Sequence, residues 1–120
     1  MNKFKTFKDI ANKEDTPMFD RYVRKVCERF EIGEPELFER WEDNRDYFRA
    51  NARHTLYLLC DRYGMRIMEI KRFMKHSGHI VGHSTIIKGI RKANHLMRDD
   101  NDYKRIITTI EESTLNKNEV

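Results

Sequence analysis

His76, His79 and His83 follow one another at spacings of three and four residues, and Cys27 and Cys60 are the only thiols of the chain. On an unbroken helix that spacing would gather three imidazoles on one face, a donor set suited to zinc. Gly78 and Gly82 interrupt the stretch and no Cys-x-x-Cys accompanies it, so no metal site is expected. The carboxylates Asp99, Asp100 and Asp102 also cluster, but they precede a new helical period, where negative charge meets the free N–H groups of a helix start. Asp61 and Glu69 have cationic neighbours in sequence and read as surface pairs. No nucleophile is set beside a base. Neither an enzyme nor a cofactor is expected. The remaining chemistry lies in His83-Ser84-Thr85, where a ring that can donate or accept is followed by two short hydroxyl side chains.

These three residues open a helical period. Ile86, Ile90, Ala93 and Met97 recur on one face, which turns Ser84, Lys88, Arg91 and His95 the opposite way, with Thr85 and Lys92 beside them. A helix that meets DNA needs this division. One face fixes its pose, short side chains at its start let the backbone approach the bases, and cations further along reach phosphates. His83, Ser84 and Thr85 are therefore the candidate base contacts. Lys88, Arg91 and Lys92, with Lys71 on the preceding helix, are candidate backbone contacts.

Charge is segregated along the chain. Residues 45–98 carry twelve Lys and Arg against three acids, a net +9 within a chain of net +4. The flanks are acidic: nine bases against eleven acids in residues 1–44, and three against six in residues 99–120. Concentrated positive charge suits a polyanion, because each neutralised phosphate releases condensed counterions.

The elements around these residues read as helices throughout. Residues 1–15 show no sustained period and read as a flexible N-terminal arm. Thr16-Pro17 predicts a helix start, followed by Phe19, Tyr22, Val23, Val26 and Phe30 at helical spacing and a stop at Gly33. Glu34-Pro35 opens a short segment with Leu37, Phe38 and Trp41. A long helix is expected from about Asn44 to Tyr63, its stripe formed by Tyr47, Phe48, Ala52, Leu56, Leu59 and Tyr63, and Gly64 ends it. Met65 to Met74 forms a shorter helix with Ile67, Ile70 and Met74 inward. A loop over residues 76–82 leads into the helix at His83, and a last helix carries Tyr103, Ile106, Ile107 and Ile110 into a polar tail over 114–120. The methionines Met65, Met68, Met74 and Met97 read as core rather than as a ligand pocket. Cys27 and Cys60 read as buried, reduced thiols. The expected architecture is all-α, a compact bundle of about six helices over residues 16–113 containing a helix-turn-helix.

In its order of motifs the chain from Met18 to about Glu112 resembles the C-terminal DNA-binding domain of the bacterial replication initiator DnaA, a Trp-repressor-like helical fold. The likeness runs through Arg29-Phe30-Glu31-Ile32, Pro35-Glu36-Leu37-Phe38, Arg45 to Ala52-Arg53, Leu56-Tyr57-Leu58-Leu59 and Glu69-Ile70. It is sharpest at His83-Ser84-Thr85-Ile86 followed by Gly89-Ile90-Arg91-Lys92. The resemblance implies base contacts from His83, Ser84 and Thr85. It also implies backbone or minor-groove contacts from basic residues before and within the long helix, matched here by Arg45, Arg49 and Arg53. One departure is plain: the family's Gly-Gly-Arg-Asp before the histidine is replaced by a longer loop ending Ile80-Val81-Gly82. No phosphate-cradling Gly-x-x-x-x-Gly-Lys-Ser/Thr loop is present, so the resemblance is to a DNA-binding domain detached from any ATPase module.

The expected partner is double-stranded DNA, bound with sequence dependence and modulating replication initiation or transcription. A second reading keeps the fold as a protein-docking module without DNA affinity, with Phe38 and Trp41 as its anchors. No apolar run approaches the ~18–20 residues that cross a bilayer, and the polar N-terminus lacks a signal-peptide core. A cytoplasmic, nucleoid-associated protein is the expectation.

Overall fold

The structure, a computed structural model, describes the backbone of residues 7–39 and 47–119 and the side chains of residues 17–39 and 50–114. Six helices follow in chain order among the described residues: α1 (Phe7–Phe30), α2 (Glu34–Phe38), α3 (Tyr47–Tyr63), α4 (Ile67–His76), α5 (His83–Asp99) and α6 (Asn101–Glu119). The fold is an all-α bundle, and no described residue lies in a strand.

α3 is the axis of the bundle. Every residue from Thr55 to Cys60 is buried, so the helix meets neighbours on all sides rather than along one stripe. It packs most extensively on α5 and α1, and also on α2, α4 and α6. Ala52, Leu56 and Leu59 of the expected stripe are thus only part of its buried surface, Tyr63, expected inside, is 37% exposed, and the side chains of Tyr47 and Phe48 lie outside the described residues. The Thr55 hydroxyl in this run is satisfied internally: its Oγ1 donates to the Asn51 carbonyl at 2.7 Å and accepts from the Tyr103 hydroxyl at 2.6 Å. That pair ties α3 to α6. At the far end of α3, Arg62 clamps Glu111 of α6 with two hydrogen bonds of 2.6 and 3.1 Å.

Three helices end by the same closure. After α3, Gly64 takes a left-handed φ of 111° and Met65 N–H returns to the Cys60 carbonyl at 3.0 Å. After α4, Gly78 at φ 100° lets His79 N–H return to the Met74 carbonyl at 2.8 Å. After α1 the same geometry falls on Glu31 at φ 55°, with Ile32 N–H on the Cys27 carbonyl at 3.1 Å. Each closure satisfies a terminal carbonyl and carries an apolar or buried residue back onto the helix. α1 thus stops three residues before Gly33, which instead caps α2, its N–H donating to the Glu36 carboxylate at 2.9 Å. Glu69 plays that part for α4, accepting from Arg66 N–H at 2.9 Å, a capping role in place of the expected surface pair.

Both ends of the bundle differ from the sequence expectation. α1 begins at Phe7 and carries Pro17 in its interior, so the Thr16-Pro17 start signal lies mid-helix and residues 7–15 belong to α1, not to an arm. α6 continues to Glu119, and Thr114, placed in a polar tail, is fully buried with its Oγ1 on the Ile110 carbonyl at 2.8 Å. A threonine that bonds its own helix can enter a core without an unpaired hydroxyl. Met65 and Met74 are core residues as expected, whereas Met68 is 57% exposed. Cys60 is buried and Cys27 half-buried, neither of them in a disulfide, and desolvation pushes the Cys27 thiol up to about 11.

Candidate nucleic-acid interface

α5 divides as its period requires. Ile86, Gly89, Ile90 and Ala93 are buried, while His83, Ser84, Thr85, Lys88, Arg91, Lys92 and His95 are exposed. Met97 is half-buried. The helix starts at Gly82, whose backbone is extended and whose lack of a side chain leaves the first N–H groups without a side-chain cap. Ile86 N–H returns to the Gly82 carbonyl at 3.2 Å, so the free donors are those of the residues that carry the imidazole and the two hydroxyls. An anion meeting this end finds backbone N–H groups, a favourable helix dipole and short side chains together. Further along, Arg98 donates to His95 Nδ1 at 2.5 Å, which holds His95 along the helix surface.

The pose of α5 is fixed from beneath by α3. Gly89 lies against His54 and Tyr57: a Cβ there would stand 2.7 Å from His54 Cδ2 and 2.9 Å from Tyr57 Cδ2. His54 Nδ1 and the Tyr57 hydroxyl are buried without a hydrogen-bond partner among the described residues. Desolvation, with Lys92 and Arg53 nearby, lowers the His54 imidazole to about 4, so it is neutral at physiological pH. Burial raises the Tyr57 phenol above its ordinary range.

α4 and the connection complete the surface. Lys71 and Lys75 are exposed on α4. Between Met65 and Arg98 eight Lys and Arg stand against one acid, and that acid, Glu69, is engaged in capping. The connection alternates: His79 and Val81 are each 8% exposed, and Ile80 between them is 78% exposed. His79 Nδ1 donates to the Phe38 carbonyl at 3.1 Å, which pins the connection to α2. That role separates His79 from the exposed His76 and His83, and no group of three metal-ligating side chains occurs among the described residues.

The predicted residues are thus only partly brought together. His83, Ser84, Thr85, Lys88, Arg91 and Lys92 share the open side of α5, with Lys71 on the neighbouring helix. Arg53 is turned inward. Its Nε donates to the Leu37 carbonyl at 2.9 Å and its NH2 group to the Glu39 carbonyl at 3.0 Å, closing the end of α2. A guanidinium held in this way serves the fold, a role the sequence reading did not assign to it. Arg45 and the side chain of Arg49 lie outside the described residues, as does Trp41. Phe38 is buried, with its ring 6.5 Å from that of Phe19. The sequence reading names Gly89 and Ile80 within longer motifs but assigns neither a role of its own. A glycine inside a helix costs about 1 kcal/mol relative to alanine, a signal of close approach that could have found the first.

No family model, no curated protein and no solved structure matches this chain. No helix among the described residues is long and apolar enough to cross a membrane.

Proposed function

We propose that this protein binds double-stranded DNA through α4 and α5 used as a helix-turn-helix, with the start of α5 in the major groove. The observation that carries this reading is the division of α5. Its inner face is locked on α3 at Gly89, and its outer face presents His83, Ser84 and Thr85 at the start and Lys88, Arg91 and Lys92 along its length. The first three sit where a recognition helix contacts base edges, and the cations sit where it reaches flanking phosphates. The near absence of acids from Met65 to Arg98 supports the same partner. With no catalytic group in the site, the protein acts by occupying or competing for DNA sites, in replication initiation or transcription. It does so as a nucleoid-associated, cytoplasmic, non-enzymatic regulator related to the initiator's DNA-binding domain.

Selection of bound sequences from a random duplex library tests this directly. A recurring motif is expected, and Thr85→Ala or His83→Ala relaxes it at one or two positions by about 1–3 kcal/mol each. Enrichment of no sequence, or an enriched motif indifferent to both substitutions, contradicts the assignment of α5 to the groove.

A further inference from the structure

Ile80 is the most exposed large apolar residue described in this protein, and both of its chain neighbours are buried. The extended connection buries His79 and Val81 on either side, so Ile80 is forced outward by the alternation of extended backbone. His79 is tied to the Phe38 carbonyl, and the left-handed Gly78 fixes where the segment leaves α4. An isoleucine turned outward between two buried neighbours is available to an apolar group of a bound partner. Only Val81 separates it from Gly82, which places its Cα within about 7 Å of the residue that caps α5. The ground around it is strongly positive, with eight bases against one acid from Met65 to Arg98. That charge complements a polyanion and opposes an ordinary apolar protein surface. The apolar group that duplex DNA offers in its major groove is the 5-methyl of thymine.

We infer that Ile80 reads a thymine 5-methyl group beside the bases contacted by His83, Ser84 and Thr85. The inference rests on the DNA-binding reading and adds a specificity determinant to it.

The test compares wild type with Ile80→Ala on the best duplex from the library selection, synthesised with thymine or with uracil at each position. Uracil keeps every hydrogen-bonding edge and lacks only the methyl. Wild type is expected to lose about three- to tenfold in affinity at one or two positions, and Ile80→Ala to be indifferent to the same replacements. Because Ile80 is exposed, the variant keeps the wild-type melting temperature. Uracil penalties that are absent from wild type, or that persist in Ile80→Ala, overturn the inference while leaving DNA binding intact. A uniform loss by Ile80→Ala on all sequences, as for a wedge between base steps, overturns it too. So does sedimentation of wild type as a dimer that Ile80→Ala converts to monomer. Failure of wild type to bind any duplex removes the DNA-binding reading itself, and this inference with it.

Discussion

Gly89 of α5 and His54 of α3 meet so closely that a single methyl group on Gly89 would come to 2.7 Å from the imidazole Cδ2. The contact sets the distance between the central helix and the helix with the open basic face. Gly89→Ala gains up to ~1 kcal/mol of helix propensity, but overpacking of this kind costs about 1–3 kcal/mol. A net loss of stability is expected in denaturant unfolding. Combining it with His54→Ala should recover part of that loss, a coupling readable in a double-mutant cycle. Gly89→Ala at or above wild-type stability would show that α5 has room to move.

His54 also gives the fold an acid sensitivity. Its imidazole is held at about 4 by desolvation and by the cations Lys92 and Arg53, against an ordinary 6.5. Above pH 6.5 both folded and unfolded chains hold it neutral. Between 6.5 and 4 the unfolded chain takes up a proton that the folded chain refuses, so stability falls with pH across that window. The ring is only partly buried, and after allowance for screening the loss is about 1–2 kcal/mol. His54→Gln, neutral throughout, should flatten this part of the stability profile relative to wild type. Parallel profiles for the two proteins would rule the effect out.

Arg53 and the α5 cations should separate cleanly in experiment. Arg53→Ala frees the carbonyls of Leu37 and Glu39 and is expected to cost about 2–3 kcal/mol of stability. Lys88→Ala and Arg91→Ala sit on exposed positions and should leave stability within about 0.5 kcal/mol of wild type. They should weaken duplex binding across all sequences. The assignment fails if Arg53→Ala keeps full stability and loses affinity instead.

Glu31 offers a stabilising change. It occupies the left-handed position after α1 that Gly64 and Gly78 occupy after α3 and α4. Glu31→Gly removes the Cβ penalty of that conformation and should raise stability by about 0.5–1 kcal/mol, seen as a higher melting temperature. An unchanged or lower value would mean that the Glu31 side chain contributes more than its backbone costs.

Periodicity made the inner and outer faces of α5 legible, because Ile86, Ile90 and Ala93 leave only one way for Ser84, Lys88 and Arg91 to point. The all-helical class followed from the same signal and from the scarcity of glycine and proline. Arg53 was opaque because a basic residue looks alike whether it bonds solvent, phosphate or a helix-end carbonyl; the difference lies in α2, sixteen residues away along the chain. Thr114 was misjudged because its hydroxyl is satisfied by its own helix, which hydropathy does not register. Thr16-Pro17 carries a start signal that α1 overrides from Phe7 onward. The closeness of Gly89 to His54 depends on where two helices cross, which neither helix records alone.

The measurement closest to the central claim is the affinity of the protein for a fixed duplex as a function of salt. Binding through Lys88, Arg91, Lys92 and Lys71 predicts a linear fall of log affinity with log salt, of slope about −3 to −5. Replacing Lys88 and Arg91 together should reduce that slope by about 2. An affinity independent of salt, or a slope untouched by the double replacement, would contradict the account that α5 lies on DNA.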